Sequence, residues 1–221
     1  MKFIDPLWQR ALMDVARNTY NVPVIFDEIA SGLFRVGVQS CREILKMDPD
    51  IASYAKLLTG GLLPMSVTLA SNDVFESFLG ESKAEALLHG HSYTAHPVGC
   101  VSALHSLEAY SEILESKKEG QNVSFFDNNL VAELSKCKLV HDSMALGTVL
   151  AVTIETDGKE SGYAALSQTL PIVKILSEKG IYARPLGNVL YIMVSPLTSR
   201  KECKKLTSIL IETIRQVGND I

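Results

Sequence analysis

The sequence is poor in cysteine and contains no closely spaced cysteine pair. Its four cysteines, Cys41, Cys100, Cys137 and Cys203, lie far apart along 221 residues. This distribution argues against a structural zinc site and against a small disulfide-stabilised scaffold. We therefore expect reduced thiols and a reducing compartment such as the cytosol or the mitochondrial matrix.

Long apolar runs and an excess of basic charge are also missing. No run of about 18 apolar residues occurs, which argues against a membrane-spanning helix. The net charge is −4, so the composition does not favour nucleic acid or an anionic membrane as a partner. The N-terminal stretch MKFIDPLWQRALMDVARNTY has no apolar signal core and no transit-peptide character, so we expect no targeting segment in this chain.

What the sequence does contain is enough apolar material for a substantial core, since 47% of its residues are hydrophobic. The N-terminal stretch predicts a helix, with Asp5 as N-cap and Pro6 in the first turn. On this helix one apolar face is formed by Leu7, Ala11, Leu12 and Val15.

Strand and helix patterns alternate along the first part of the chain. Buried strands are predicted for VPVIFDEI, which ends in two acids, for DIASYAK and for MSVTLAS. Short helices are predicted for CREILKM and NDVFESFLG, and a longer helix begins near Pro97. The alternation favours an α/β architecture with a mainly parallel sheet.

The pattern restarts after a charged and polar stretch, Glu115–Asn129. A strand is predicted for GTVLAVTIET and a helix for YAALSQTLPIVKILSEKG, ended by Gly180. A hairpin is predicted for IYARPLGNVLYIMVSP, and a final amphipathic helix for SRKECKKLTSILIETIRQV. We therefore predict two domains, residues 1–114 and residues 115–221, the second being a smaller α/β domain.

Two of the predicted strands end in residues whose side chains can take part in catalysis. These are Asp27 and Lys56, which are 29 positions apart. Ligands bind at the carboxyl ends of strands in α/β sheets. A lysine there is either a surface side chain that extends to solvent or a desolvated amine able to form a Schiff base. An aspartate facing a pyridine nitrogen keeps that nitrogen protonated, which makes pyridoxal phosphate an electron sink. The pair is more specific than either residue alone.

Three segments carry a family resemblance. VIFDEIASGLFRVG, PDIASYAKLLTGGLLPMSVTLAS and HGHSYTAHPVGC resemble, in this order, the successive signatures of the class III aminotransferases. These enzymes depend on pyridoxal phosphate and have the aspartate aminotransferase-like fold, fold type I of the α/β class. The resemblance covers Val22–Leu114. It implies that residues 1–114 are the C-terminal half of the large cofactor-binding domain, and that residues 115–221 are the small C-terminal domain.

The resemblance assigns cofactor roles to three residues. Lys56 would form the Schiff base with the cofactor and move the proton during transamination, and Asp27 would pair with the pyridinium nitrogen. Ser92 stands where the family usually has threonine, whose hydroxyl holds the cofactor phosphate of the neighbouring subunit. The resemblance thus implies a homodimer for the full-length enzyme. The alternative for Ser92 is a serine that caps a loop.

The resemblance also implies a substrate site. Arg184, in ARPLG, matches an arginine that binds the carboxylate of the keto substrate, and Gly90 is assigned to the same site. The alternative for Arg184 is a surface arginine before a turn. His89, His91 and His96 are close together, but they fall in the family's phosphate loop, so we expect no metal site.

Within the family, YAKLLTGG, LLHGHSY and ARPLGNVLYIM most resemble the diaminopelargonic acid aminotransferases, in particular the aminotransferase half of the bifunctional dethiobiotin synthetase enzymes of plants and fungi. These convert 8-amino-7-oxononanoate to 7,8-diaminononanoate in biotin synthesis, usually with S-adenosylmethionine as amine donor. No arginine lies between Asn188 and Leu197, where acetylornithine-type enzymes have one. A class III enzyme acting on another ω-amine or amino ketone remains an alternative.

The resemblance covers about the second half of a typical member. The family's Gly-Ser phosphate-binding turn and ring-stacking aromatic residue are not found before Asp5. We therefore expect weak or no activity from this chain alone, and a non-catalytic remnant is a further alternative. The implied compartment is mitochondrial for a eukaryotic biotin enzyme and cytoplasmic otherwise, and ATP binding is expected only with a fused dethiobiotin synthetase.

Overall fold

The computed structural model describes residues 3–116, 125–156 and 169–219. These residues form two compact units, one within Lys2–Gln121 and the other within Asn122–Ile221. We call them the N-terminal unit and the C-terminal unit. The predicted family roles of residues 1–114 and 115–221 as large-domain half and small domain remain predictions. Within the described residues, no helix is both long and apolar enough to cross a membrane.

The N-terminal unit combines four helices with one small sheet. The helices are α1 (Pro6–Asn18), α2 (Arg42–Leu45), α3 (Asn72–Glu76) and α4 (Pro97–Ser116); the strands are β1 (Ile25–Asp27), β2 (Ile51–Tyr54) and β3 (Val67–Ala70), and a 3-10 turn spans Lys56–Thr59.

The sheet has the order β1-β2-β3, and only its first pairing is parallel. β3 runs antiparallel to β2. In the C-terminal unit every described pairing is antiparallel. The expectation of a mainly parallel sheet is therefore wrong for the described strands. The reason is that the segment after the Lys56–Thr59 turn returns directly beside β2, without the crossover helix that a parallel neighbour requires.

Helix α1 begins as predicted but faces the other way. The Asp5 carboxylate accepts a hydrogen bond from the Leu7 amide at 2.7 Å, and Pro6 occupies the first turn. Its buried contact is made by Met13, which is 6% exposed, whereas Trp8 and Leu12 are 59% and 54% exposed. The apolar face recognised in the sequence therefore points away from the rest of the N-terminal unit.

The core of the N-terminal unit consists of two separate small clusters. Met13, Phe26, Leu45 and Ala52 lie between α1, α2 and the sheet. A second cluster, Leu33, Phe34, Leu58, Ala103 and Tyr110, joins the loop after β1 to the 3-10 turn and α4. The strands here are shorter and less buried than predicted, since only Phe26 in β1 and Ala52 in β2 are buried.

The C-terminal unit is built around one sheet with the order β4-β5-β7-β6. It contains α5 (Asn128–Leu134), β4 (Val140–Leu146), β5 (Val149–Ile154), α6 (Leu170–Glu178), β6 (Arg184–Leu186), β7 (Val189–Met193) and α7 (Arg200–Asn219). A single continuous core lies between this sheet and its helices, and it includes the fully buried Leu150, Ile172, Leu176, Leu190 and Leu210.

Two tight turns set the strand register of this sheet. Leu146 pairs with Val149 and Leu186 with Val189, so each hairpin has a two-residue loop. Each loop begins with a glycine in the left-handed region, Gly147 and Gly187. Glycine at the first loop position is typical of hairpin turns that match the twist of the strands.

The β6–β7 hairpin and helix α7 confirm the sequence-based predictions, whereas α5 and β4 were not predicted. The N-terminal part of the predicted helix YAALSQTLPIVKILSEKG lies outside the described residues. Its C-terminal part is α6, and Gly180 follows in the left-handed region, with φ of 78°. Helix α3 is capped by the hydroxyl of Ser71, which accepts from the Val74 amide.

Candidate active site

Asp27 is the last residue of β1, and its side chain is exposed. One carboxylate oxygen accepts a hydrogen bond from the Ile29 amide at 3.1 Å, which holds the side chain near the strand end. In the parallel pairing, Asp27 lies opposite Ser53 of β2. The chain leaving β2 therefore reaches Lys56 at the same edge of the sheet.

Lys56 begins the 3-10 turn that follows β2, rather than closing the strand as predicted. Its backbone adopts a left-handed conformation with φ of 52°. A lysine in this region is strained, and such strain concentrates at functional positions. The side chain is exposed, so of the two alternatives drawn from the sequence the structure shows a surface side chain rather than a desolvated amine. Its amine makes no hydrogen bond or ion pair with any described residue.

Helix α4 holds the Lys56 turn in place through two hydrogen bonds. The Tyr110 hydroxyl donates to the Leu57 carbonyl at 3.0 Å, and the Ser102 hydroxyl donates to the Thr59 carbonyl at 3.1 Å. Leu58, between these two carbonyls, is buried. The strained backbone of Lys56 thus belongs to a turn with fixed neighbours, which presents the amine from a defined point.

Glu28, next to Asp27, is buried and extensively hydrogen-bonded. It is 2% exposed, and its carboxylate accepts from the Ser40 hydroxyl at 2.5 Å, the Cys41 amide at 2.7 Å and the Tyr54 hydroxyl at 3.0 Å. The Tyr54 hydroxyl also lies 3.1 Å from the Ser40 hydroxyl. We call Glu28, Ser40, Cys41 and Tyr54 the Glu28 network. It connects the ends of β1 and β2, directly beside Asp27 and two residues before Lys56.

Burial within the Glu28 network changes the acidity of its members. Burial raises the pKa of the Cys41 thiol to about 11, assisted by the neighbouring Glu28 carboxylate. Burial also raises the pKa of the Tyr54 phenol, again with Glu28 contributing. Both groups therefore stay protonated near neutral pH, and Tyr54 remains a hydrogen-bond donor. Gly32 is required here, because a Cβ would lie 2.7 Å from the Tyr54 ring.

The segment with Gly90 and Ser92 lies in a turn that precedes α4, and both residues are exposed. The turn is organised by its neighbours. The Thr94 hydroxyl accepts from the His91 amide at 3.0 Å, and the His91 ring accepts from the Tyr93 amide at 3.1 Å. Ser92 makes no hydrogen bond with a described residue, so the structure does not use it as a loop cap.

Arg184 belongs to the C-terminal unit. It is the first residue of β6, lies opposite Tyr191 of β7 and is exposed. Its guanidinium makes no ion pair within the part of the chain that the structure describes. Arg184 is thus an exposed cation at the start of a strand. This position suits binding of a substrate carboxylate, and because the turn Gly187–Asn188 follows, it suits a surface arginine before a turn equally well.

The structure therefore places Asp27 at the end of β1 and Lys56 just after the end of the neighbouring strand β2. The Glu28 network supports the first position, and the hydrogen bonds from α4 support the second. An exposed carboxylate and an unpaired amine at one sheet edge suit a ring-shaped cofactor with a basic nitrogen and an aldehyde. The Glu28 network was not predicted as a unit. Its only signal in the sequence was the second acid of FDEI, which accepts a hydrogen bond from the Cys41 amide in the structure.

Comparison with known proteins assigns the chain to a family. The family model described as aminotransferase class-III matches residues 1–214. The chain belongs to the class III aminotransferases. The matched residues include both Asp27 and Lys56.

Aminotransferases named for 7,8-diaminopelargonic acid and for 8-amino-7-oxononanoate are among the similar sequences. The bifunctional dethiobiotin synthetase/7,8-diamino-pelargonic acid aminotransferase, mitochondrial, of Oryza sativa is 42% identical over 213 residues, which are 93% of this chain and 25% of that protein. The protein of the same name from Arabidopsis thaliana is 41% identical over 97% of this chain and 26% of its own length. The Helicobacter pylori adenosylmethionine-8-amino-7-oxononanoate aminotransferase is 30% identical, with 45% of its length covered.

Solved structures agree with this assignment. The crystal structure of adenosylmethionine-8-amino-7-oxononanoate aminotransferase from Methanocaldococcus jannaschii superposes with a TM-score of 0.79 at 28% identity, covering 95% of this chain and 49% of that one. The ornithine aminotransferase of Toxoplasma gondii gives the same TM-score at 21% identity and supports the fold alone. The chain thus has the class III, fold type I architecture and spans about half the length of these solved enzymes.

Proposed function

We propose that this chain is the cofactor-anchoring half of a pyridoxal-phosphate-dependent aminotransferase. The observation that carries the proposal is the position of Asp27 at the end of β1, opposite Ser53 of the parallel strand β2, from which the chain reaches Lys56 three residues later. Either residue alone has a bland explanation, whereas their adjacency in a class III aminotransferase supports a shared cofactor.

Each residue would contribute one defined action. The Asp27 carboxylate, held by the Ile29 amide, would keep the proton on the ring nitrogen of the cofactor. The Lys56 amine would attach covalently to the cofactor aldehyde, and after release it would move a proton between the substrate carbon and the cofactor. When bound, pyridoxal phosphate supplies an electron sink that accepts the electron pair left by this proton transfer. The fixed Lys56 turn would keep the amine within reach in both roles.

We propose 8-amino-7-oxononanoate as the amino acceptor and S-adenosylmethionine as the amine donor. The support is that similar proteins from Oryza sativa, Helicobacter pylori and Methanocaldococcus jannaschii are named for this reaction. In this proposal Arg184 binds the substrate carboxylate, for which a guanidinium is well suited, and Gly90 is a further substrate-binding residue. Ser92 would donate its free hydroxyl to a cofactor phosphate across a homodimer. For a eukaryotic source we propose the mitochondrial compartment that the plant relatives' names state.

The decisive experiment compares Lys56→Ala with the parent chain, each incubated with pyridoxal phosphate. We expect the parent to show the visible absorbance of lysine-bound cofactor. After reduction with borohydride, the Lys56 peptide of the parent should also show a mass increase. The variant should show neither signal. Lys46→Ala is the matched control, because Lys46 is also exposed and also has a left-handed backbone, with φ of 55°. Equal absorbance and equal labelling in the parent and in Lys56→Ala would show that Lys56 is not the anchor.

A second candidate is a non-catalytic chain that acts only by association. It is favoured by the coverage, since the chain matches only about half of the solved class III enzymes. The two candidates are separated by the parent chain itself. Absence of cofactor attachment in the folded parent would favour the non-catalytic candidate. Attachment followed by turnover with 8-amino-7-oxononanoate, but not with another amino ketone, would support both the proposed reaction and its substrate.

A further inference from the structure

The backbone ladder between β1 and β2 ends before the chain reaches Lys56. The strands pair in parallel as far as Asp27 and Ser53, and the Glu28 amide then donates to the Ser53 carbonyl at 3.0 Å. Beyond this bond the chain leaving β1 turns back, since the Gly32 amide donates to the Glu28 carbonyl at 3.0 Å. Among the described residues, the segment leading to Lys56 therefore continues without a further backbone hydrogen bond to β1.

A side-chain hydrogen bond connects the two strand ends where the ladder stops. The Tyr54 hydroxyl, at the end of β2, donates to the Glu28 carboxylate at 3.0 Å and lies 3.1 Å from the Ser40 hydroxyl. Glu28 is itself held by the Ser40 hydroxyl and the Cys41 amide, and it is 2% exposed. Water does not compete for a hydrogen bond at a buried carboxylate. Tyr54 thus links β2 to an acid whose position is already fixed.

The ring of Tyr54 is confined by close packing. A Cβ at Gly32 would lie 2.7 Å from Cδ1 of the ring, so the ring lies directly against the Gly32 backbone. Tyr54 also packs against the cluster that contains Phe34 and Leu58. Both the ring and the hydroxyl of Tyr54 are therefore fixed, and the side chain acts as a rigid link between the two strand ends.

Lys56 is held from both sides by two tyrosines. Tyr54 precedes Lys56 by two residues and bonds to Glu28, whereas the carbonyl of Leu57 accepts from the Tyr110 hydroxyl at 3.0 Å. Between these anchors the Lys56 backbone has its left-handed conformation, with φ of 52°. Such a conformation persists only where the surrounding structure fixes it. Loss of one anchor should let the backbone relax and move the starting point of the Lys56 side chain.

We propose that Tyr54 is a positioning residue that sets the place of Lys56 relative to Asp27 through its hydrogen bond to Glu28. Asp27 directly precedes Glu28 in β1, so a single hydrogen bond ties the strand end of one residue to the strand end of the other. Two groups that contact one rigid ring must keep a fixed relative position, and small displacements are costly. The proposal rests on the cofactor shared by Asp27 and Lys56 under the proposed function.

The test compares Tyr54→Phe with Asp50→Asn. Asp50 is the matched control because its carboxylate accepts from the Val24 amide at 2.7 Å, at the opposite end of the same strand pair. The first measurement is hydrogen exchange of the Leu58 amide in the cofactor-free chain, since this amide closes the Lys56 turn by donating to the Ala55 carbonyl at 3.1 Å. We expect this exchange to be about tenfold faster in Tyr54→Phe than in Asp50→Asn, the effect of losing one hydrogen bond to a buried carboxylate.

The second measurement is a titration of each chain with pyridoxal phosphate, followed by the visible absorbance of lysine-bound cofactor. We expect the dissociation constant to rise about tenfold in Tyr54→Phe and to change little in Asp50→Asn. At saturation both variants should reach the absorbance of the parent, because Lys56 is present in each. A loss of stability alone would affect both variants, so the difference between them reports on positioning.

Two results would overturn the positioning role of Tyr54. One is equal exchange of the Leu58 amide in the two variants. The other is an equal dissociation constant in the two variants when the parent does attach the cofactor at Lys56, which would reduce the Tyr54 bond to a structural contact. A parent chain that attaches no cofactor at Lys56 would instead refute the proposed function, and this proposal with it. The two failures are therefore distinguishable.

Discussion

Glu28 is a buried acid whose role depends on its hydrogen bonds rather than on its charge alone. An ionised carboxylate inside a protein is costly unless it is hydrogen-bonded, and here two hydroxyls and one amide meet it. Its position fixes the end of β1, and the neighbouring Asp27 thereby gains a defined direction. Glu28 is thus a positioning residue in the structure, whereas Asp27 is the residue that is free to contact a ligand.

Tyr54→Phe tests this network without changing the volume of the core. The variant loses the bonds to Glu28 and Ser40, and since one partner is a carboxylate we expect a loss of about 1–2 kcal/mol in the free energy of unfolding. Urea denaturation followed by circular dichroism measures it. Tyr182→Phe is the control, because Tyr182 is almost fully exposed. Equal denaturation midpoints for Tyr54→Phe and the parent would show that the hydroxyl contributes nothing.

The thiol of Cys41 should be unusually unreactive. Its raised pKa, about 11, leaves almost no thiolate at pH 8, and thiolate is the reactive form. We expect iodoacetamide to modify Cys41 in the folded chain at least about tenfold more slowly than a free cysteine, after allowing for the higher nucleophilicity of a weakly acidic thiol. Peptide mass spectrometry over a time course measures the rate. Rapid labelling in the native chain, equal to that in urea, would contradict the buried hydrogen-bonded environment.

At the level of single residues, the sequence was sufficient to select Asp27 and Lys56, but their placement as catalytic and binding residues stays a prediction. The sequence did not show that Glu28 would be the buried member of the Asp27–Glu28 pair. Which of two adjacent acids faces inward depends on Tyr54 and Ser40, which are distant in sequence. Local periodicity contains no information about such partners.

Among the elements, α1 is attached by polar contacts as well as by the buried side chain of Met13. Arg17 forms an ion pair with Asp50 at 3.0 Å, and the same carboxylate oxygen accepts from the Val24 amide at 2.7 Å. Asp50 thus ties the end of α1 to the segment entering β1. The Val24 hydrogen bond and, next, the Arg17 side chain lower the pKa of Asp50.

Because the pKa of Asp50 is lower in the folded state, its contribution is present above the pKa of the unfolded chain, near 4, and is lost as the pH falls through the folded value. We expect Asp50→Asn to lower the free energy of unfolding by about 1 kcal/mol at pH 7. The difference from the parent should shrink steadily below about pH 4. Denaturation curves at several pH values check this. A deficit that stays constant down to pH 2 would contradict it.

The start of α1 followed from local chemistry, since Asp5 and Pro6 act within one turn. The orientation of α1 could not be predicted in the same way. An apolar stripe on a helix indicates only that some surface covers the stripe. The stripe reports on a partner surface, and the sequence does not say whether that surface belongs to the same unit. For the same reason the predicted buried strands are half exposed in the structure, as Ile25 of β1 shows.

On the scale of the whole molecule, the two units should differ in local stability. The C-terminal unit has one continuous core, whereas the N-terminal unit has two small clusters. Protection against hydrogen exchange follows buried apolar contact. We expect the slowest amides in β5, β7 and α7, and faster exchange throughout α1 and β1, as measured by exchange mass spectrometry.

Slow exchange in α1, comparable to that of β7, would contradict the predicted difference between the two units.

The paired hairpins of the C-terminal unit have a consequence for the order of folding. In each one the first cross-strand pair closes a loop of two residues, at Gly147 and at Gly187, so the entropy lost in closing it is small. Hairpins of this kind form in about 1–10 μs. Folding then needs only to align two finished ladders along β5 and β7, instead of searching for the partners of four separate strands. We therefore expect the register of this sheet to be set by its two hairpins early in folding.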